Sequence, residues 1–217
     1  MTMSTRPSYV HGASDVPLLG LTIGESLRQT VARFPDREAA VVRHQGWRVT
    51  WRELWDQTTE LARALMASGV AKGDRVGIWS PNRFEWIVTQ FATARIGAIL
   101  VNVNPAYRLH ELEYVLRESR CKVLMLIESF KSSNYVEMFC EACPEVKDCA
   151  PGHIDSWRFP HLRTVVFIGS TSPIFAAALA WIVLRERLPL VTWIAMAAAV
   201  GGIALMVGDA RRIVDPT

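Results

Sequence analysis

The chain has 217 residues, with 24 Lys and Arg against 21 Asp and Glu and a formal net charge of +3. That length accommodates one sizeable core, or a smaller domain with an appendage. The small charge, with no Lys/Arg stripe interleaved with aromatics, argues against a nucleic-acid partner.

Residues 1–20 form a polar segment punctuated by Pro and Gly, with no apolar h-region, so synthesis in the cytosol without a cleaved secretory signal is expected. Thr22-Ile23-Gly24-Glu25 has the spacing of a capping box. Ile23, Leu27, Val31 and Phe34 then recur at helical spacing until Pro35. Ala39 to Arg43 and Trp47 to Thr50 read as a β-hairpin around His44-Gln45-Gly46. Thr50-Trp51-Arg52-Glu53 is a second capping box. It opens a helix whose apolar face carries Leu54, Trp55, Thr58, Leu61, Ala62 and Leu65 and which Gly69 terminates.

From Gly73 the pattern turns regular: strand Arg75 to Trp79, helix Arg83 to Ile96, strand Ala98 to Val103, helix Leu109 to Ser119, strand Lys122 to Ile127. Val/Ile/Leu-rich strands alternating with helices predict a doubly wound α/β fold on a parallel sheet with right-handed crossovers. Ligands of such sheets sit at the carboxyl ends of the strands. Here those ends are Ser80-Pro81-Asn82, Asn104-Pro105-Ala106-Tyr107-Arg108 and Glu128-Ser129-Phe130-Lys131. No dinucleotide fingerprint, P-loop or nucleophile elbow follows any of them. His44, His110, His153 and His161 therefore read as loop or surface imidazoles.

Cys140, Cys143 and Cys149, with His153 beyond them, could in principle enclose zinc. Irregular spacing and the prolines at 144 and 151 favour free cytosolic thiols instead, and no metal site is expected. A chain of this size with four cysteines is not a disulfide scaffold.

Several stretches resemble the N-terminal part of the adenylate-forming (AMP-binding) acyl-CoA synthetases. They are Arg33-Phe34-Pro35-Asp36-Arg37-Glu38-Ala39, Thr50 to Leu54, Gly69 to Val76 and Arg95-Ile96-Gly97-Ala98. Most telling is Val101-Asn102-Val103-Asn104-Pro105-Ala106-Tyr107-Arg108, with Glu111 to Tyr114 and Phe130 to Tyr135 after it, which looks like the medium- and long-chain fatty acyl branch. The likeness runs from about residue 8 to 169.

It implies a two-step reaction, in which a fatty carboxylate attacks the α-phosphorus of ATP to give an acyl-adenylate and the thiol of coenzyme A then displaces AMP. The family uses ATP, Mg2+ and coenzyme A. It supplies a Ser/Thr/Gly-rich phosphate loop ending in Lys, a Glu for magnesium, an Asp for the ribose and a mobile C-terminal Lys. None of those motifs occurs in these 217 residues. Gly169 to Pro173 only echoes the phosphate loop, without its Lys. No catalytic residue, no cofactor and no ligase activity are expected of this chain alone, because positioning and electrostatics supply most of such catalysis. Arg108 and Lys131, in carboxyl-edge turns, are the candidate contacts for a coenzyme A phosphate; the alternative is two solvated loop cations. Since the family packs this segment against later parts of a larger domain, an uncovered α/β face open to another protein is also expected.

The chain changes character near Gly169-Ser170: 20 of its 24 basic and 18 of its 21 acidic residues lie before Ser170. Val165 to Leu184 and Leu188 to Gly208 are uncharged, joined by Arg185-Glu186-Arg187. As helices of about 1.5 Å rise per residue they approach bilayer thickness, although Pro173 shortens the first. Small residues four apart, such as Ala195 and Ala199, would allow close helix contact in lipid.

Ser172 to Ala177, Leu184 to Pro189 and Gly201 to Leu205 resemble the terminal helical hairpin of EamA-type drug/metabolite transporters. The expected organisation is a truncated acyl-CoA synthetase α/β domain over 21–169, a membrane-type hairpin over 170–210 and a tail over 211–217. The α/β part would be cytoplasmic, held to membrane lipid through 170–208. Two alternatives stay open: a membrane-anchored remnant of an EamA-type exporter, or a chimeric reading frame without a function of its own.

Overall fold

A computed structural model describes residue 12, residues 18–150 and residues 152–168. The expected hairpin over 170–210 and the tail lie outside the described residues, as does most of the polar N-terminal segment.

Helix α1 (Ile23–Arg33) is capped by Thr22, whose hydroxyl accepts from the Glu25 amide at 3.2 Å. The second half of the expected capping box is not made. The Glu25 carboxylate instead takes Arg28 at 2.7 and 2.8 Å and Gln29 at 3.0 Å, a stronger charge-assisted arrangement on the open face of the helix. These bonds, Arg28 first, hold its carboxyl down at about 2.

Strands β1 (Glu38–Val42) and β2 (Trp47–Thr50) form the antiparallel hairpin. Arg43 lies in the short 3-10 turn Arg43–Gln45, not in the strand, and Gly46 closes that turn at φ 70°. At Thr50 the capping box is complete: its hydroxyl accepts from the Glu53 amide and its own amide donates to Glu53 Oε2 at 2.7 Å. Helix α2 (Trp51–Ala67) follows. It ends in a Schellman turn, with Gly69 at φ 86° and the Val70 amide donating to Leu65 O at 2.9 Å.

Next come β3 (Arg75–Trp79), α3 (Phe84–Ile96), β4 (Ile99–Val103), α4 (Leu109–Ser119) and β5 (Val123–Ile127), within a residue of the boundaries read from the sequence. The sequence reading omitted a two-residue-strand hairpin of β6 (Ser129–Phe130) and β7 (Ser133–Asn134), the helix α5 (Tyr135–Ala142) and the strand β8 (Thr164–Ile168). The last of these lies within the expected α/β domain of 21–169: although the uncharged run that starts at Val165 has membrane length, Val165 to Ile168 pair in parallel with Leu124 to Ile127 in the sheet. A continuous apolar run of this length suits a buried parallel strand as well as a helix, and periodicity alone does not separate the two.

The sheet is wholly parallel in the order β4-β3-β5-β8. The chain steps from β3 to β4 in one direction and then back across β3 to β5. Right-handed crossovers therefore put α3 on one face and α4 and α5 on the other. α1 and α2 pack on α3, and α4 packs on α5, in agreement with that rule. β5 is buried at every position. Gly77 permits a close approach on β3: a Cβ there would meet Cys121 Sγ and Leu124 Cδ1 at 3.1 Å each. A second, smaller core joins α1, the β1–β2 hairpin, α2 and α3 around Leu27, Val49, Leu54, Phe84 and Val88.

Candidate functional site at the carboxyl edge of the sheet

In a sheet of this order the strand sequence reverses between β3 and β5, and the crevice outside their carboxyl ends is where doubly wound folds bind ligands. Two aromatic side chains organise that edge. Trp79, the last residue of β3, is fully buried, and its indole N–H donates to Asn104 O at 3.1 Å. Tyr135, at the start of α5, is also fully buried, and its hydroxyl donates to Pro105 O at 2.8 Å. The two rings stack with centroids 4.3 Å apart. Burial pushes the Tyr135 phenol above its ordinary pKa, against a smaller opposing pull from Arg108.

The turn between β4 and α4 is thus held from beneath by two carbonyls in succession. Above them Asn104 folds the turn on itself: its side-chain oxygen accepts from the Ala106 amide at 2.9 Å and its carbonyl from the Tyr107 amide at 3.0 Å. Alongside lies an open concavity of about 470 Å³ lined by Ser80, Pro81, Asn82, Trp86, Asn102 and Asn104 among others. Its polar groups are amides and a hydroxyl, suited to hydrogen bonding and not to acid-base chemistry.

Arg108 is the N-cap residue of α4 and exposed; its amide donates to Glu111 Oε2 at 3.1 Å. Lys131 forms the tip of the β6–β7 hairpin at φ 53°, also exposed, with its ammonium 5.4 Å from the centre of the Phe130 ring. The structure therefore places both sequence-chosen cations on this edge, in separate turns, pointing to no partner carboxylate among the described residues. The residues that sequence reasoning missed are Trp79 and Tyr135. A Trp closing a buried strand and a Tyr opening a helix were the available signals, but nothing in their spacing says that they meet.

The cysteine cluster is dispersed by α5. Cys143, at its C-terminal cap, is buried, and burial pushes its thiol up to about 11. Cys140 and Cys149 are partly exposed free thiols. Among the described residues no three His, Cys, Asp or Glu side chains are grouped to hold a metal ion. His44, His110, His153 and His161 are exposed, as read.

A wholly parallel sheet with helices packed on it and its ligand edge built from strand-end turns defines a doubly wound α/β unit. The family described as AMP-binding enzyme matches residues 27–173, and the chain belongs to it. The medium-chain acyl-CoA ligase ACSF2, mitochondrial, of Danio rerio is 45% identical over 166 residues, 76% of this chain and 27% of that protein. Its Homo sapiens counterpart is 42% identical over the same shares. The solved N-terminal domain of FACL13 from Mycobacterium tuberculosis superposes with a TM-score of 0.58 at 26% identity, covering 73% of this chain and 36% of that one.

The chain thus spans about 27% of the length of the curated ligases it matches, and the stretch it shares with them is the N-terminal part of an acyl-CoA synthetase. The EamA-like transporter family also matches, over residues 161–208. The start of that match, through Ile168, is the turn and strand β8 of the α/β sheet. Among the described residues no helix is long and apolar enough to cross a membrane.

Proposed function

We propose that the chain carries the N-terminal scaffold of an ATP-dependent fatty acyl-CoA synthetase, of the kind that activates a fatty acid through an acyl-adenylate and passes it to coenzyme A. The observation that carries this reading is the family match over 27–173, laid on a sheet whose switch-point edge is preorganised by Trp79 and Tyr135. ATP, Mg2+ and coenzyme A would be the cofactors of the whole enzyme. On this edge Arg108 and Lys131 are the residues to meet a phosphate of coenzyme A, as point charges in open turns. These 217 residues include no phosphate loop, magnesium Glu or mobile Lys of the family, so the chain alone binds without turning over. Incubated with ATP, Mg2+, octanoate and coenzyme A, it should release no pyrophosphate above background. Saturable formation of acyl-AMP or acyl-CoA would refute that.

A second reading concerns the remainder of the chain and rests on the EamA-like match over 161–208 together with the uncharged runs on either side of Arg185-Glu186-Arg187. In it, 170–208 holds a cytoplasmic α/β unit to membrane lipid. Arg185 and Arg187 lie at an interface, since each would cost about 2.5–3.5 kcal/mol at mid-membrane. Deleting 170–210 should release the protein from the membrane pellet; extraction of the intact chain by carbonate would exclude insertion. The β8 edge and the outer faces of the sheet helices would meet either later ligase segments or another protein.

A further inference from the structure

The opposite edge of the sheet carries a feature that neither reading uses. Two adjoining concavities lie between the last two turns of α4 and the turn 157–161, beside the amino ends of β5 and β8. The smaller, about 300 Å³, is lined by Arg117, Arg120, His161 and Glu118 over Leu116 and Phe159. The larger, about 680 Å³, is lined by Trp157, Arg158, Glu113, Arg117 and Pro160. Arg117 and Pro160 belong to both, so the two form one bipartite groove, cationic at one end and aromatic at the other.

Three observations make this more than a solvated helix end. The side chains of Arg117, Arg120 and His161 make no hydrogen bond or ion pair with any described residue, whereas Glu113, the acid nearest the aromatic end, is engaged by Arg158 at 3.5 Å. Arg120 caps α4 at φ 53°, the left-handed conformation in which Gly or Asn is the usual residue. A cation near a helix C-terminus offsets the dipole wherever it stands in the last turn, and Arg117 already does so; that need does not call for an arginine in the left-handed cap. Finally, Trp157 is 80% exposed, an indole face offered to solvent, with the Arg158 guanidinium 5.4 Å from the ring centre.

The geometry points to a binding site for a small aromatic anion, its ring stacked on Trp157 against Pro160 and its phosphate or carboxylate held by Arg117 and Arg120. Guanidinium pairs recognise such groups through charge-assisted, often bidentate bonds, and an exposed indole stacks planar rings. The groove volume falls in the range of small-ligand sites. It lies across the sheet from Arg108 and Lys131 and shares no lining residue with the carboxyl-edge concavity.

The test uses the full chain in detergent micelles, labelled with nitrogen-15. Phenyl phosphate and benzoate are titrated while the indole N–H signal of Trp157, identified as the one missing from Trp157→Phe, is followed. Whichever of the two saturates at lower concentration names the anion. Saturable shifts are expected, weakened at least about tenfold in R117A/R120A and unchanged in R63A, an exposed cation elsewhere. Should R117A/R120A lose spectral dispersion, the exposed single variant R117E replaces it. No saturable shift with either probe, equal binding by R117A/R120A, or octanoate binding as well as the aromatic probes would overturn the assignment.

Discussion

The two edges of the parallel sheet are built on different physics. At the amino edge the joints are ionic and backbone-to-backbone. Lys122 Nζ donates to Gly69 O at 2.6 Å and to Asp74 Oδ2 at 2.8 Å, and the same carboxylate oxygen accepts from the Ala71 amide at 2.9 Å. The Ile99 amide donates to Asp74 O and the Lys122 amide to Arg75 O, each at 2.8 Å. At the carboxyl edge the joints are two buried aromatic heads that reach the Asn104 and Pro105 carbonyls. Beneath β3, β4 and β5 the amino edge commits the charges of Lys122 and Asp74 to holding itself, while Arg117 and Arg120 at the neighbouring helix end take no part in that joint. The carboxyl edge holds its turns from below with neutral groups, which leaves Arg108 and Lys131 uncommitted above. A carboxyl edge whose turns are held without using their cations is the arrangement expected where a doubly wound sheet meets its ligand.

If the carboxyl edge depends on its aromatic clamp, Trp79→Ala should produce the largest effect. A fully buried Trp truncated to Ala loses about 3–5 kcal/mol and takes the indole bond to Asn104 with it. Urea unfolding of the variant should show a midpoint shifted by that amount, or no cooperative transition at all.

The amino edge is tested by Asp74→Asn, for which a loss of about 1 kcal/mol is expected from a half-buried ion pair with a backbone bond attached. The Lys122 ammonium first, then the Ala71 amide, hold the Asp74 carboxyl below the usual range. A depressed carboxylate pKa contributes stability that is complete above the unfolded value of about 3.9 and is lost as pH falls through the lower folded value. Wild type should therefore lose this increment in acid below about pH 4, and D74N should show no such step. An identical acid slope in both would remove Asp74 from the account.

Where local chemistry decided the structure, it was legible in the sequence. Thr50 with Glu53 gave a complete cap, Gly69 a helix stop, and the bounds of α4 coincide with those read from Leu109 to Ser119. Where a competing partner was within reach, the local pattern misled: Glu25 has Thr22 behind it but Arg28 and Gln29 one turn ahead, and the charged partner won. Val165 to Ile168 were given no strand for a related reason. An uncharged run does not say whether lipid or a neighbouring strand will cover it, and here β5 does. Of the candidate site, Arg108 and Lys131 follow from the rule that strand ends face ligands. Trp79 and Tyr135 do not, because residues 56 positions apart meet only once β5 has returned beside β3.

A smaller effect should come from Tyr135→Phe, which keeps the ring stack and removes only the hydroxyl bond to Pro105. About 0.5–1.5 kcal/mol is expected. Because burial raises the Tyr135 pKa, the wild-type contribution is complete below the unfolded value of about 10 and is lost as pH rises through the higher folded one. The gap between wild type and Y135F should therefore narrow in alkali. A gap that widens there would mean the phenolate is favoured in the fold, contrary to a buried clamp.

The smallest expected change separates backbone from charge at Lys131. At φ 53° a residue with a Cβ is held in the left-handed region at a cost of about 1 kcal/mol. Glycine removes that cost but gives back roughly 0.5–1 kcal/mol of chain entropy. Lys131→Gly should thus leave stability within about 0.5 kcal/mol of wild type, while Lys131→Ala, which keeps the Cβ and loses the ammonium over Phe130, should be no more stable than wild type. Both variants should bind coenzyme A more weakly than wild type and to the same extent, as judged by equilibrium dialysis, if the ammonium is what the turn presents. Weakening confined to the glycine variant would show that the hairpin backbone, and not the charge, is what the carboxyl edge contributes.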